Sequence, residues 1–301
     1  AEPTIVGRDA RRARAALREL REAGAAAEFL EADLSDLGQV RALCGQLRGG
    51  RCGGRLRLVV CAAGATALRE RTETVDGHEY HLGLNFLSRV VLVSSLLADL
   101  CESGSEQDPA RVVLVGSSRH WGRVVLGFAG LGAPLPLALG QLDDLQLRRP
   151  GAYGRWEAFG QAALCNVMLA YELQRRLRMQ GIARVAVSCV DPGPMSTAWP
   201  LYRSEENRML AAPNMPDWQK GLLRYFTRLV ESPRDAAVGV ARVALGRRGA
   251  STARVKGYFE GGALAPSKYP LPWSWGTSHD EEVWSRLWEQ AEQLTGERVR
   301  L

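Results

Sequence analysis

The chain has 301 residues, a net charge of +6 and an apolar fraction of 46%, enough for one large α/β domain or two small ones and too apolar for global disorder. Lysine occurs only at Lys220, Lys256 and Lys268, and the arginines alternate with Asp and Glu on helical stretches, so solvated helix faces are expected rather than a nucleic-acid surface. Cys44, Cys52, Cys61, Cys101, Cys165 and Cys189 form no C-x-x-C pair, and no histidines stand at metal-ligand spacing; this argues against a zinc site or a disulfide framework and for reduced core thiols.

The chain begins at Ala rather than Met and shows no signal peptide, so part of its N-terminus is expected to have been removed or left unrecorded. An intracellular setting is expected, and the basic pI of about 9.2 is compatible with an organelle such as a mitochondrion or plastid. A short strand is read at Thr4 to Gly7, then a helix capped by Asp9 that runs to about Glu22 and stops at Gly24. Ala26 to Leu30 reads as a strand, about Asp36 to Leu47 as a helix, Gly49 to Gly54 as a turn and Leu56 to Cys61 as an apolar strand. A long helix is expected from about Val75 to Leu100, then a strand at Arg111 to Val115.

Val124 to Leu142 is uncharged and apolar but rich in Gly and Pro, which argues for a loop and against a membrane-spanning helix. The helix that follows contains Tyr153 to Leu173, with Phe159, Ala162, Ala163, Asn166, Val167, Ala170 and Leu173 at the spacing of one buried face. Arg184 to Val190 reads as a strand, and residues 195–231 as a lid-like segment with Trp199, Tyr202, Trp218, Tyr225 and Phe226. Pro233 opens a further helix after Ser232, Val255 to Phe259 forms a last strand, and Glu281 to Leu294 a last helix. Strands alternating with helices predict a doubly wound α/β domain with a mostly parallel sheet covered on both faces. No repeat or linker divides residues 1–301, so one domain is expected.

In such a sheet ligands bind beyond the carboxyl ends of the strands. Here those ends are Arg8-Asp9, Asp33-Leu34, Ala62-Ala63-Gly64, Ser117-Ser118 and Pro192-Gly193. Together with Asp76-Gly77 leading to Asn85, Arg111-Val-Val-Leu-Val-Gly-Ser-Ser-Arg-His120, Asp191-Pro-Gly-Pro-Met-Ser-Thr197, Lys256-Gly-Tyr-Phe259 and Leu287-Trp-Glu289, this order resembles the short-chain dehydrogenase/reductase family, in particular its retinol-dehydrogenase-like branch. The resemblance implies hydride transfer with NAD or NADP. It places Arg8 at the 2′-phosphate of NADP, Asp33 and Leu34 beside the adenine, Ala63 and Gly64 beside the ribose and Thr197 at the nicotinamide amide, and it counts Pro192 and Gly193 among the cofactor-binding residues. It also makes Ser118 the partner of the substrate oxygen and Asn85 the anchor of a water in the proton relay.

Two departures weigh against the chemistry. Aligned on Ala158 and on Leu164-Cys165-Asn166, the family's Tyr-x-x-Ser-Lys reads Phe159, Ala162 and Ala163; a phenyl ring transfers no proton and a methyl group tunes no neighbour, where general acid–base catalysis is worth roughly 10²–10⁴ in rate. The family's first strand and Gly-x-x-x-Gly-x-Gly turn, which cradle the pyrophosphate, are absent from the chain as given. The expectation is therefore a non-catalytic member acting as a binding or structural subunit of a larger assembly, with weak NADP binding or none. The alternative is an NADP-dependent oxidoreductase on an apolar alcohol or carbonyl. The uncharged loop 126–140 is expected to meet a protein or lipid through Phe128, Leu131, Leu135 and Leu137.

Overall fold

The computed structural model describes residues 2–48, 56–117, 120, 139–192, 216–218, 233–246, 258–260 and 280–298. In chain order these hold β1 (Thr4–Gly7), α1 (Ala10–Glu22), β2 (Glu28–Glu31), α2 (Leu37–Gln46), β3 (Leu58–Cys61), α3 (Tyr80–Ser103), β4 (Ala110–Val115), α4 (Arg155–Met179), β5 (Val185–Asp191), α5 (Pro233–Leu245), β6 (Tyr258–Glu260) and α6 (Glu281–Thr295). A 3₁₀ helix at Leu139–Asp144 precedes α4.

Local chemistry explains the helix ends. Asp9 accepts from the backbone N–H of Arg11 and Arg12, and Gly24 turns out of α1 at φ +80°, a conformation that costs glycine little. Asp36 caps α2, and the Asp76 carboxylate accepts from Leu37 N at 2.9 Å, which ties the approach to α3 onto α2. Asp280 caps α6, with Glu281 and Glu282 in its first turn and Gly296 at φ +70° past its end.

Among the described residues every strand pair is parallel, β1 with β2 and β3-β4-β5-β6 in that order. The period of two along β4 and β5 sends Val112, Leu114, Val187 and Cys189 into the large core with α2, α3, α4 and α6. Val113 and Val190 point the other way, against Val243 and Ala244 of α5. The sheet is thus covered on both faces, as the apolar runs predict. Instead of one continuous sheet, however, the described strands form two: the second edge of β1 and of β3 has no described partner. Val60 of β3 is accordingly 40% exposed, whereas Val112 and Val113 of the neighbouring β4 are at 0% and 1%.

Several boundaries differ from the sequence reading, most by one or two residues; β3, for example, begins at Leu58 rather than Leu56. α3 starts at Tyr80 rather than Val75, because Gly77 sits at φ +76° and Glu79 supplies the N-cap, accepting from Leu82 N. α4 runs on to Met179 and, between Gly160 and Leu173, is buried all round rather than on one face, as suits a helix packed between the sheet and α6. β2 begins at Glu28, so Ala26 and Ala27 belong to the turn. Among the described residues one helix, α3, is long and apolar enough to cross a membrane, and 67% of its apolar window lies inside the fold. Cys44, Cys61, Cys101, Cys165 and Cys189 are free thiols, and burial pushes Cys165 and Cys189 up to about 12. Cys52 lies outside the described residues.

Candidate functional site

The strand ends meet where α3 passes beneath them. The Arg89 guanidinium, 5% exposed, donates to Val115 O at 2.7 Å and to Ala63 O at 3.1 Å, joining the ends of β3 and β4. Burial holds its pKa below the usual arginine range, and both acceptors are carbonyls rather than carboxylates, which makes it an expensive group to keep. Its Nε is buried with no hydrogen-bond partner.

One turn earlier, Asn85 lies in a π-helical turn, Gly83–Leu87, a local break in helix geometry that is common at functional sites. Gly83 opens that turn and lets Thr74 pack closely there, since a Cβ would stand 2.5 Å from Thr74 Cγ2. The Asn85 side chain accepts from Ala65 N at 2.8 Å and donates to Ala65 O at 2.9 Å, and a Cβ on Gly64 would come within 3.0 Å of its Oδ1. Asn166 Nδ2 donates to Asn85 O and to Ala162 O, both at 2.8 Å. Asn85 therefore braces the exposed platform Ala62-Ala63-Gly64, and its own carbonyl is engaged by α4.

On α4 the half-buried Phe159 ring meets His81 edge-on at 6.3 Å, and Ala162 and Ala163 are 1% and 5% exposed. Phenyl and methyl groups thus occupy the positions where the resemblance calls for phenol, hydroxyl and amine. Tyr153 precedes the helix, whose N-cap is Gly154, and its hydroxyl donates to Leu68 O at 2.9 Å. Burial first, and the Glu79 charge second, push that phenol up to about 12, so it holds its proton rather than replacing the missing group. Leu68 N in turn donates to His81 Nε2 at 3.3 Å, and His81 Nδ1 donates to the Glu79 carboxylate at 2.8 Å. Glu79, His81, Arg89 and Tyr153 were absent from the sequence-derived site. The available signal was the four-residue spacing of His81, Asn85 and Arg89 in an otherwise apolar helix, whereas Glu79 and Tyr153 precede their helices and carried no such signal.

At the end of β1, the exposed Arg8 donates to Asp33 Oδ2 at 3.3 Å and to Tyr80 Oη at 3.0 Å. Asp33 accepts from Ser35 N and Ser35 Oγ; burial raises its pKa, but these bonds and Arg8 outweigh burial and hold it low. Leu34 is half-buried against the core. Pro192 follows β5 directly. Ser118, Gly193 and Thr197 lie outside the described residues, as do Phe128, Leu131, Leu135, Leu137 and the lid apart from 216–218. A nucleotide fits this rim at two places: the Arg8 guanidinium suits a phosphate, and the small residues Ala62 to Gly64 let a sugar approach the backbone. Ala163 offers nothing to ribose hydroxyls.

No protein-family model matches the chain. It is 31% identical over 274 residues to mouse (Mus musculus) polyprenol dehydrogenase, covering 90% of this chain and 68% of that protein. It is 33% identical over 170 residues to the human protein of that name, 45% of whose length is matched, so the chain spans only about half to two thirds of these relatives. Wheat (Triticum aestivum) protochlorophyllide reductase A is 26% identical, over 88% of this chain and 66% of that one. Among solved structures, an uncharacterised protein from Mycobacterium paratuberculosis superposes with a TM-score of 0.63 at 23% identity, covering 99% and 85% of the two chains. An NADPH-bound short-chain oxidoreductase from Pseudomonas aeruginosa with an atypical catalytic centre gives 0.55 at 20% identity, covering 89% and 88%. With the parallel sheets and the strand-end rim, these similarities lead to one conclusion: the chain belongs to the short-chain dehydrogenase/reductase family.

Proposed function

We propose that the protein is an NADP-linked oxidoreductase acting on an apolar alcohol or its carbonyl, with a long isoprenoid alcohol as the substrate class. The observation that carries this is the 31% identity to a polyprenol dehydrogenase across 90% of the chain. The NADPH-bound structural neighbours support the choice of cofactor, as does Arg8 at the end of β1. When bound, that cofactor supplies the hydride donor or acceptor. Arg8 would face its 2′-phosphate, Ala62 to Gly64 would admit the ribose, and Asn85 and Arg89 hold that platform against the ends of β3 and β4.

Phe159 and Ala163 favour a second reading, in which the fold is kept as a binding or structural subunit and the uncharged loop 126–140 meets a protein partner or lipid. Purified protein incubated with NADP and a polyprenol, or with NADPH and the matching aldehyde, separates the two. Turnover of about 1 s⁻¹ or more supports the oxidoreductase; nucleotide binding with only trace turnover supports the subunit. The loop is tested by substituting Leu135 and Leu137 with Asp and comparing partner or vesicle association with thermal stability.

A further inference from the structure

Among the described residues only two non-glycine residues occupy the left-handed region, Ala67 at φ +43° and Leu147 at φ +50°. For a residue with a Cβ this conformation is strained and persists only where the surroundings impose it. Ala67 is 3% exposed and lies in a strap whose backbone is gripped on both sides of it. Asn85 holds both the N–H and the carbonyl of Ala65. His81 accepts from Leu68 N and Tyr153 donates to Leu68 O. His81 is itself fixed by the fully buried Glu79. Four polar backbone atoms within four residues are thus committed to side chains from α3, its N-terminal turn and the entry to α4. The strap continues directly from the exposed platform Ala62-Ala63-Gly64.

We propose that the strap Ala65–Leu68 is a pre-strained positioning element for the nicotinamide dinucleotide on that platform, and that Tyr153 and His81 are positioning residues acting through it. The proposal rests on the nucleotide-binding reading given above. A strap held in one conformation before binding leaves the nucleotide no ordering to perform, whereas a freed strap lowers apparent affinity by the fraction of time it is out of place. A purely structural strap would contribute to stability and leave affinity alone.

The test pairs thermal unfolding with NADPH titration, followed by the nucleotide's own fluorescence, on the full chain. Tyr153→Phe removes the latch on Leu68 O and lets the strained backbone at Ala67 relax; the expected result is a Kd raised about fivefold to tenfold, as a competent fraction of about 10–20% requires. Ala67→Gly removes the strain that drives this relaxation, so it is expected to keep Kd near the native value, to hold or raise Tm, and to recover most of the lost affinity when combined with Tyr153→Phe. A double variant that binds as weakly as Tyr153→Phe overturns the role of strain. Unchanged Kd in a folded Tyr153→Phe protein overturns the proposal and leaves nucleotide binding standing. Failure of the native chain to bind NADPH overturns both. If Tyr153→Phe does not fold, His81→Leu, which leaves Leu68 N without its acceptor, is titrated in its place and read by the same outcomes.

Discussion

Asn85 offers a sharp test because its amide makes one accepted and one donated bond to the same residue, Ala65, at 2.8 and 2.9 Å, while 5% exposed. In Asn85→Asp the ionised carboxylate still accepts from Ala65 N. Its second oxygen, however, then faces the Ala65 carbonyl oxygen where the amide had donated. Only the protonated acid restores the original pattern of one donor and one acceptor. The folded-state pKa of the new carboxyl must therefore rise above its unfolded value of about 3.9. A fully buried carboxyl can rise by about 3–5 units, but Arg89 lies one turn further along α3 and its positive charge offsets part of this, so a rise of about two units is taken. That corresponds to about 2.7 kcal/mol lost at neutral pH.

The sign follows from the direction of the shift. Because the folded pKa is raised, the variant is close to the native chain below about pH 4, loses stability between about pH 4 and 6, and shows a constant deficit above that. Urea unfolding of both proteins at each pH, compared at matched pH to cancel every other titration, reads the difference directly. A deficit independent of pH, or one below about 0.5 kcal/mol at neutral pH, would refute the assignment of the Asn85 amide as the brace of Ala65.

Further outcomes follow from other sites. Glu172 is 1% exposed and accepts from Arg175 Nε at 2.7 Å and Arg176 Nε at 2.6 Å; burial raises its pKa, but these bonds outweigh burial and hold it low. Glu172→Gln is expected to cost about 2 kcal/mol at neutral pH, at the low end for a broken buried pair because both arginines reach solvent. The loss should fade as pH falls through the folded pKa, below the unfolded value of about 4.3, when paired urea titrations are compared. Gly104→Ala would set a methyl 2.0 Å from Arg184 O and 2.8 Å from Ala110 N, both backbone atoms, so a loss of about 1–3 kcal/mol is expected, read by thermal unfolding against the native chain. Restoring the proton-transfer pair with Phe159→Tyr and Ala163→Lys should raise turnover of a polyprenol by about 10²-fold or more at some cost in stability, since Ala163 is 5% exposed. An unchanged rate in a folded, NADP-binding variant would mean that α4 is not the reacting helix.

Much of this protein is written locally in its sequence. The Asp9 cap, the Gly24 stop and the apolar run from Arg111 to Val115 need only neighbouring residues, so that helix and that strand could be read without a fold, whereas which face Val112 and Val113 each take could not. That Phe159, Ala162 and Ala163 stand where the resemblance calls for Tyr, Ser and Lys was equally legible, because it needs only the register of neighbouring residues. What the sequence did not disclose were groups whose role depends on a distant partner. Asn85 is a brace only because Ala65 comes within hydrogen-bond reach, and Arg89 joins two strands only because Ala63 O and Val115 O converge on one guanidinium. The start of α3 moved to Tyr80 because Gly77 and the Glu79 cap broke a pattern that apolar periodicity alone continued. Tertiary structure decided these points because a side-chain hydrogen bond spanning 20 or 26 positions of chain follows from how helices pack on the sheet, and composition and spacing do not encode that packing locally.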